Sequence, residues 1–324
     1  MRLKTPSFWY GPPGVISDLL QPFSHLYAAA SYLRRSVQPY KSRLPVACIG
    51  NIVAGGSGKT PVALAVMKLI REAALAQRPC FLTRGYGGNN KGPLEADWHM
   101  HKARDVGDET LLLARFAPAI VSADRGAGAV YAESQNYDLI VMDDGLQNPG
   151  LHKDMVFIVI DGVSGVGNCR MIPAGPLREP PGPALQKADA FIFIGEDRQN
   201  IRSILPADKP VFTASLEIAD GWKADKKNPY IAFCGIAHPK KFKQTLDTAG
   251  VALAAFHSFA DHHSFTAREL EKLAAEAKAK NARLITTAKD AARLPSDFTV
   301  DILPVEIAWE DKDAVVSFLR ERLS

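Results

Sequence analysis

Among the residues able to do chemistry, the run Gly55-Gly56-Ser57-Gly58-Lys59-Thr60 offers the most specific spacing. It sits between an apolar stretch ending at Ile49 and a helix-like pattern from Pro61. Strand, glycine-rich turn, Lys-Thr and helix form a phosphate cradle. Backbone N–H groups and the helix N-terminus face the anion, Lys59 reaches the β and γ oxygens, and Thr60 holds Mg²⁺. The strict pattern asks for glycine five residues before Gly58, where Val53 stands; Gly55 and Gly56 still supply the tight turn. The expectation is a nucleoside triphosphate site.

Four further groups of residues accompany it. The apolar run 139–142 ends in Asp143-Asp144-Gly145, which puts carboxylates at a strand's carboxyl edge, where Mg²⁺ would lie. Asp108 and Glu109 follow Gly107; one could touch Mg²⁺ while the other takes a hydroxyl proton, or Asp108 could cap a helix. Asp261-His262-His263 lacks further ligands at metal spacing, so a histidine paired with a carboxylate as proton acceptor competes with a plain surface cluster. Thr287-Ala288-Lys289-Asp290 is similar to the guanine-reading Asn-Lys-x-Asp loop, with Thr in place of Asn.

These residues need elements to hold them. Apolar runs at 45–49, 79–83, 137–142, 155–160 and 190–194 read as strands, with a helix at 61–72. Strands alternating with helices predict a largely parallel sheet covered on both faces. Pro- and Gly-rich segments at 85–93 and 172–183 read as loops over its carboxyl edge. A smaller α/β unit follows, with strands at 230–234 and 283–287 and a helix at 267–280. Strands at 211–218 and 302–309 flank it and are expected to pair as a two-stranded linker. The final helix, near 311–322, packs on either unit. The expected division is 1–210 and 211–308.

The first 43 residues differ. Arg2, Lys4, Arg34, Arg35, Lys41 and Arg43 stand against Asp18 alone, although the 324-residue chain carries only +4. Val15, Ile16, Leu19, Leu20, Phe23, Leu26, Tyr27 and Ala30 are spaced as one helix face, interrupted by Pro22 and preceded by Phe8, Trp9 and Tyr10. This suits an interfacial membrane helix, or a face packed on the protein's own core. No apolar stretch is long enough to span a bilayer and no secretory signal is evident, which predicts a cytoplasmic protein. The mild net charge argues against a nucleic-acid binder. Cys48, Cys80, Cys169 and Cys234 lack metal-ligand spacing and predict free thiols in a reducing compartment.

Taken in order, several runs together resemble the tetraacyldisaccharide 4′-kinase (lipid A 4′-kinase) family. They are Gly50-Asn51 with Gly55 to Pro61, Thr83-Arg84-Gly85-Tyr86-Gly87, Gly107-Asp108-Glu109 and Asp143-Asp144-Gly145-Leu146-Gln147. Pro173 to Pro180, Phe259 to His263 and Thr287 to Arg293 continue the series. The resemblance implies a P-loop NTPase-type α/β/α sandwich with a second, smaller α/β domain on a two-stranded linker. It implies transfer of the γ-phosphate of ATP, with Mg²⁺, to the 4′-hydroxyl of a tetraacylated glucosamine disaccharide 1-phosphate. It also implies a peripheral place on the cytoplasmic face of the inner membrane of a Gram-negative bacterium, with no obligatory protein partner.

The implied roles fall on matching positions. Gly55, Gly56, Ser57, Gly58, Lys59, Thr60 and Pro61 bind nucleotide, and Asn168 contacts the base. Thr60, Glu109, Asp143 and Asp144 hold Mg²⁺. Asp108 accepts the hydroxyl proton with His262, Lys59 acts on the phosphates, and Arg84, Tyr86 and Arg178 contact the lipid. Two positions depart from the family: its Gly-Asn-Gly run appears as Gly165-Val166-Gly167-Asn168, and its Thr-Glu-Lys-Asp as Thr287-Ala288-Lys289-Asp290. The competing readings are a membrane-associated GTP-binding switch and a P-loop ligase or insertase acting without lipid.

Overall fold

The computed structural model describes residues 6–33 and 38–323, the side chains of 31–33 excepted. Arg2, Lys4, Arg34 and Arg35, part of the basic N-terminal segment, lie outside the described residues.

Among the described residues, thirteen strands fall into two sheets. They are β1 Val46–Gly50, β2 Pro79–Thr83, β3 Leu94–Glu95, β4 Ala119–Val121, β5 Leu139–Asp143, β6 Met155–Asp161, β7 Ala190–Ile194 and β8 Val211–Ile218, then β9 Tyr230–Cys234, β10 Leu253–Ser258, β11 Arg283–Thr287, β12 Asp301–Leu303 and β13 Val305–Trp309. The large sheet runs β13-β8-β7-β6-β1-β5-β2-β4-β3. It is parallel except for the edge pairs β13/β8 and β3/β4. The small sheet, β10-β9-β11-β12, is parallel throughout.

Strand β1 is central, and its five residues are buried because both faces of the sheet are covered. Val46 and Cys48 face one apolar layer, while Ala47 and Ile49 face another built with the helix Lys59–Glu72. Val315 and Leu319 of the last helix, Lys312–Leu323, join that second layer. The last helix therefore returns to the large sheet. Cys48, Cys80 and Cys234 are buried and Cys169 is exposed, all as free thiols.

The segment expected to be one strand at 302–309 is two. Pro304 separates β12, in the small sheet, from β13, which pairs antiparallel with β8 in the large one. Proline has no N–H to donate to a ladder, so it marks the change of sheet. Its carbonyl accepts from the N–H of Ala219, so the outward and return crossings lie side by side. Carboxyl ends of strands from both sheets supply the residues that meet in the cleft between them. Among the described residues no helix is long and apolar enough to cross a membrane.

Candidate active site

The phosphate loop is held from below by its own residues. Asn51 Nδ2 donates to Ser57 Oγ at 2.6 Å, and both residues are buried. Gly58 caps the following helix at φ 84°, a left-handed conformation that favours glycine. Val53 needs no such freedom. It is buried and bridges to Leu177, while Ala54 N–H donates to Pro176 O and Arg178 N–H to Ile52 O. The 172–178 segment thus braces the loop where the strict motif would have glycine.

The acidic pair at the end of β5 faces this loop. Thr60 Oγ1 donates to Asp143 Oδ2 at 2.9 Å. The other oxygen, Asp143 Oδ1, is buried without a hydrogen-bond partner. Burial pushes the Asp143 carboxyl up to about 7, and the charges of Glu109 and Asp144 add to the rise. Burial also acts on Asp144, but Lys59 and Arg178 overcome it and hold that carboxyl down at about 2. Arg178 Nη1 lies 2.8 Å from Asp144 Oδ1, and Lys59 Nζ lies 3.8 Å from the same oxygen.

Thr60 Oγ1 and Asp143 are in contact, and Asp144 and Glu109 lie near enough to act on the Asp143 carboxyl; these are oxygen groups of the kind Mg²⁺ takes. The buried, unpartnered Asp143 Oδ1 beside them is an oxygen that a cation could take. No group of three or more His, Cys, Asp or Glu side chains among the described residues forms a metal cage. Magnesium does not need one, since it usually takes one or two carboxylates and completes its shell with water and substrate phosphate.

Across the cleft the two domains share one polar cluster. Gly107, at φ 90°, precedes the helix Asp108–Ala114, and a Cβ there would lie 2.6 Å from the Tyr86 carbonyl. A side chain at 107 would break the approach that sets Asp108 against the second domain. Asp108 is buried. Its Oδ2 is 2.9 Å from His262 Nδ1 and 3.3 Å from Arg293 Nε, and its Oδ1 accepts the Glu109 N–H at 3.0 Å. Burial would raise this carboxyl, but His262, Lys289 and Arg293 hold it below its ordinary value. Asp108 is the first residue of its helix; Gly107 occupies the capping position, so the carboxylate serves the cleft.

Lys289 Nζ reaches 3.0 Å from Glu109 Oε1 and 3.1 Å from His262 Nε2. Burial works against its charge, yet Glu109, Asp108 and Asp261 keep its pKa above normal. Asp290 is fully buried, accepting from Gly235 N–H, Thr287 Oγ1 and Arg293 Nη2. Its carboxylate is therefore spent on the fold and has no edge to offer a guanine base. The Thr287–Asp290 loop is a brace for the cleft, which removes the basis of the GTP-switch reading.

The remaining predicted positions lie in varied settings. Tyr86 is exposed, and its ring meets His262 edge-on at 5.3 Å between centroids. Arg84 is exposed nearby on the same loop. Arg178 is committed to Asp144 and to Gln147 Oε1, at 2.8 and 3.1 Å. Asn168 is buried: its Nδ2 donates to Ala174 O at 2.9 Å and to Ser17 Oγ at 3.1 Å, and its Oδ1 accepts from Arg170 N–H. These contacts tie Asn168 to the N-terminal segment.

That segment docks by an unusual face. In the helix Val15–Leu33, the buried residues are Ser17 and Ser24, whose hydroxyls donate to Ala174 O and Met171 O at 2.8 Å each. Val15, Ile16, Leu19, Phe23 and Leu26 are exposed. The alternative in which the apolar face packs on the protein's own core is thus overturned: the polar stripe packs inward. Just upstream, Tyr10 Oη donates to Ala54 O at 3.4 Å, so the same segment touches the phosphate loop.

Lys289, Arg293 and Gln147 carry parts of this site that the sequence did not assign. Gln147 Nε2 donates to Asn51 O at 2.8 Å and to the buried Glu179 at 3.0 Å, linking the acidic loop to the phosphate loop. Their partners lie up to 185 positions away in the chain, so no local spacing announces them; their place within the ordered motifs was the available signal.

A family model described as Tetraacyldisaccharide-1-P 4′-kinase matches residues 16–324. A protein from Rhodospirillum centenum named Tetraacyldisaccharide 4′-kinase is 43% identical over 330 residues, covering 99% of this chain and 97% of its own. One of the same name from Gluconacetobacter diazotrophicus is 45% identical, covering 95% of both chains. Among solved structures, the "apo" form LpxK from Aquifex aeolicus in complex with ATP superposes with a TM-score of 0.76. It is 25% identical, with 96% of this chain and 100% of that one covered.

Proposed function

The chain belongs to the tetraacyldisaccharide-1-phosphate 4′-kinase family, and on that premise we propose how its residues carry the γ-phosphate of ATP to the 4′-hydroxyl of the lipid disaccharide. It is a kinase of lipid A biosynthesis with ATP as phosphoryl donor and Mg²⁺ as the usual partner. The observation that carries the assignment of roles is the Asp108–His262 contact across the cleft, beside the carboxylates that face the phosphate loop.

Phosphoryl transfer requires positioning and charge neutralisation more than covalent chemistry. Residues Gly55 to Pro61 hold the triphosphate, with Lys59 on the β and γ oxygens. Thr60, Asp143, Asp144 and Glu109 would hold Mg²⁺ directly or through water, and the ion would supply neutralisation of the phosphate charge. The acceptor oxygen bonds to the γ-phosphorus as the bond from that phosphorus to its bridging oxygen breaks, and ADP leaves. The hydroxyl proton passes to Asp108. Its Oδ2 faces both His262 and Arg293, whereas Oδ1 accepts only the Glu109 N–H and keeps a lone pair to receive it. Tyr86, exposed against His262, and Arg84, exposed on the same loop, contact the sugar. Arg178 orients Asp144, and Asn168 anchors the N-terminal segment beside the nucleotide, with its amide already engaged.

The exposed face Val15, Ile16, Leu19, Phe23 and Leu26 would lie in the inner-membrane surface, on its cytoplasmic side, where the acylated substrate resides. The paired strands β8 and β13 would serve as the hinge between the domains.

The test is Asp108→Ala. Turnover should fall by about 10²–10⁴-fold, the usual worth of a positioned acid–base group, while ATP binding persists. Wild-type turnover in this variant would remove Asp108 from the reaction.

A further inference from the structure

Lys289 stands where three roles meet. It follows Thr287, whose hydroxyl accepts from Asp290 N–H and starts the short helix Ala288–Ala291. The buried Asp290 fixes that turn to Gly235 and Arg293. Lys289 Nζ is thereby presented to Glu109 of the first domain and to His262 Nε2 of its own.

The direction of these bonds follows from the donor inventory. An ammonium group has three N–H donors and no acceptor. At 3.1 Å from it, His262 Nε2 must offer a lone pair, since an N–H there would meet Lys289 donor to donor. The ring proton then belongs on Nδ1, and Nδ1–H donates to Asp108 Oδ2 at 2.9 Å. The opposite tautomer would set the bare Nδ1 lone pair against a carboxylate oxygen. The ring is held in this attitude by the edge of Tyr86 and by the His262 N–H, which donates to Gly235 O at 3.0 Å.

We propose that Lys289 is a positioning residue for phosphoryl transfer: by donating to His262 Nε2 it fixes the imidazole as the Nδ1–H tautomer and so holds Asp108 with Oδ1 turned to the acceptor hydroxyl. The proposal rests on Asp108 being the proton acceptor. Arg293 supports the same carboxylate from a second side, and Lys289 adds the bond to Glu109, so one side chain ties the proton-accepting pair to the metal-side carboxylate. The Ala288 beside it is small and helix-favouring, which suits the tight turn.

The test uses the full-length chain labelled with ¹⁵N-histidine; it has eight histidines, and His262→Gln assigns the signal. In wild type, two-bond ¹H–¹⁵N correlations should show His262 protonated at Nδ1 and bare at Nε2. In Lys289→Met that pattern should give way to the other tautomer or a mixture, and Lys289→Arg, which keeps a cationic donor, should restore it. In Lys289→Met kcat should fall by about 10²-fold, the cost of misplacing a reacting group, with KM for ATP unchanged, and Lys289→Arg should recover most of it. An Nε2–H ring in wild type, or the same tautomer in wild type and Lys289→Met, overturns the proposal. Those spectra are read without turnover, so they fail or succeed separately from the activity of Asp108→Ala.

Discussion

The exposed face of the N-terminal helix leads to a prediction with a size. Leu19 and Leu26 are 71% and 69% exposed, so little of either side chain is used in folding. Leu19→Gln/Leu26→Gln keeps side-chain length and helix propensity while removing most of the apolar surface at two positions. Fully burying a leucine is worth about 1.5–3 kcal/mol relative to exposure. With about seven-tenths of each side chain available to lipid, the pair contributes about 3 kcal/mol, or roughly 10²-fold in partitioning. The assay is cosedimentation with vesicles of zwitterionic and anionic lipid, at matched salt because basic residues add a screened term. The variant should keep wild-type ATP binding, since Ser17 and Ser24 still dock the helix. Equal vesicle binding by variant and wild type would refute the assignment of this face to the membrane.

Other outcomes follow from the buried polar groups. The Asp143 carboxyl, raised to about 7 in the folded metal-free protein, stands near 3.9 when unfolded, so the folded state binds more protons between those values. Stability without metal should therefore fall as pH rises from about 4 to about 7, and Asp143→Asn should lack that slope; urea melts in a chelator decide, and equal slopes would contradict it. Asn168→Ala should loosen docking of the N-terminal helix by about 1–3 kcal/mol, because buried partners lose their bond. Faster hydrogen exchange in residues 15–30, with KM for ATP unchanged, would confirm that; a raised KM without undocking would instead make Asn168 a nucleotide contact.

Much of the candidate site was legible in the sequence. Asp143 and Asp144 stand at the end of an apolar strand, and Lys59 and Thr60 open a helix after a glycine-rich turn, so local pattern alone places them at the sheet's carboxyl edge. Residues 302–309 were less legible: Pro304 signals a break in the run, but which sheet each half joins is set by pairing with distant strands. β4 has only three residues and β3 two, too short for any period to register. The amphipathic pattern of residues 15–30 is identical whether its apolar face points in or out. What settled the direction was Ser17 and Ser24, two hydroxyls that pair with the carbonyls of Ala174 and Met171, more than 140 positions along the chain. Lys289 was hidden for the same reason, being defined by its contacts to Glu109, 180 positions away, and to His262.

The central claim is the transfer itself, and the lipid product tests it most directly. Purified protein incubated with Mg-ATP and the tetraacylated disaccharide 1-phosphate in detergent should yield a lipid one phosphate heavier. Fragmentation should locate the new group on the distal sugar, at the 4′ oxygen. Recovery of unchanged lipid, or a phosphate on any other oxygen, would contradict the account.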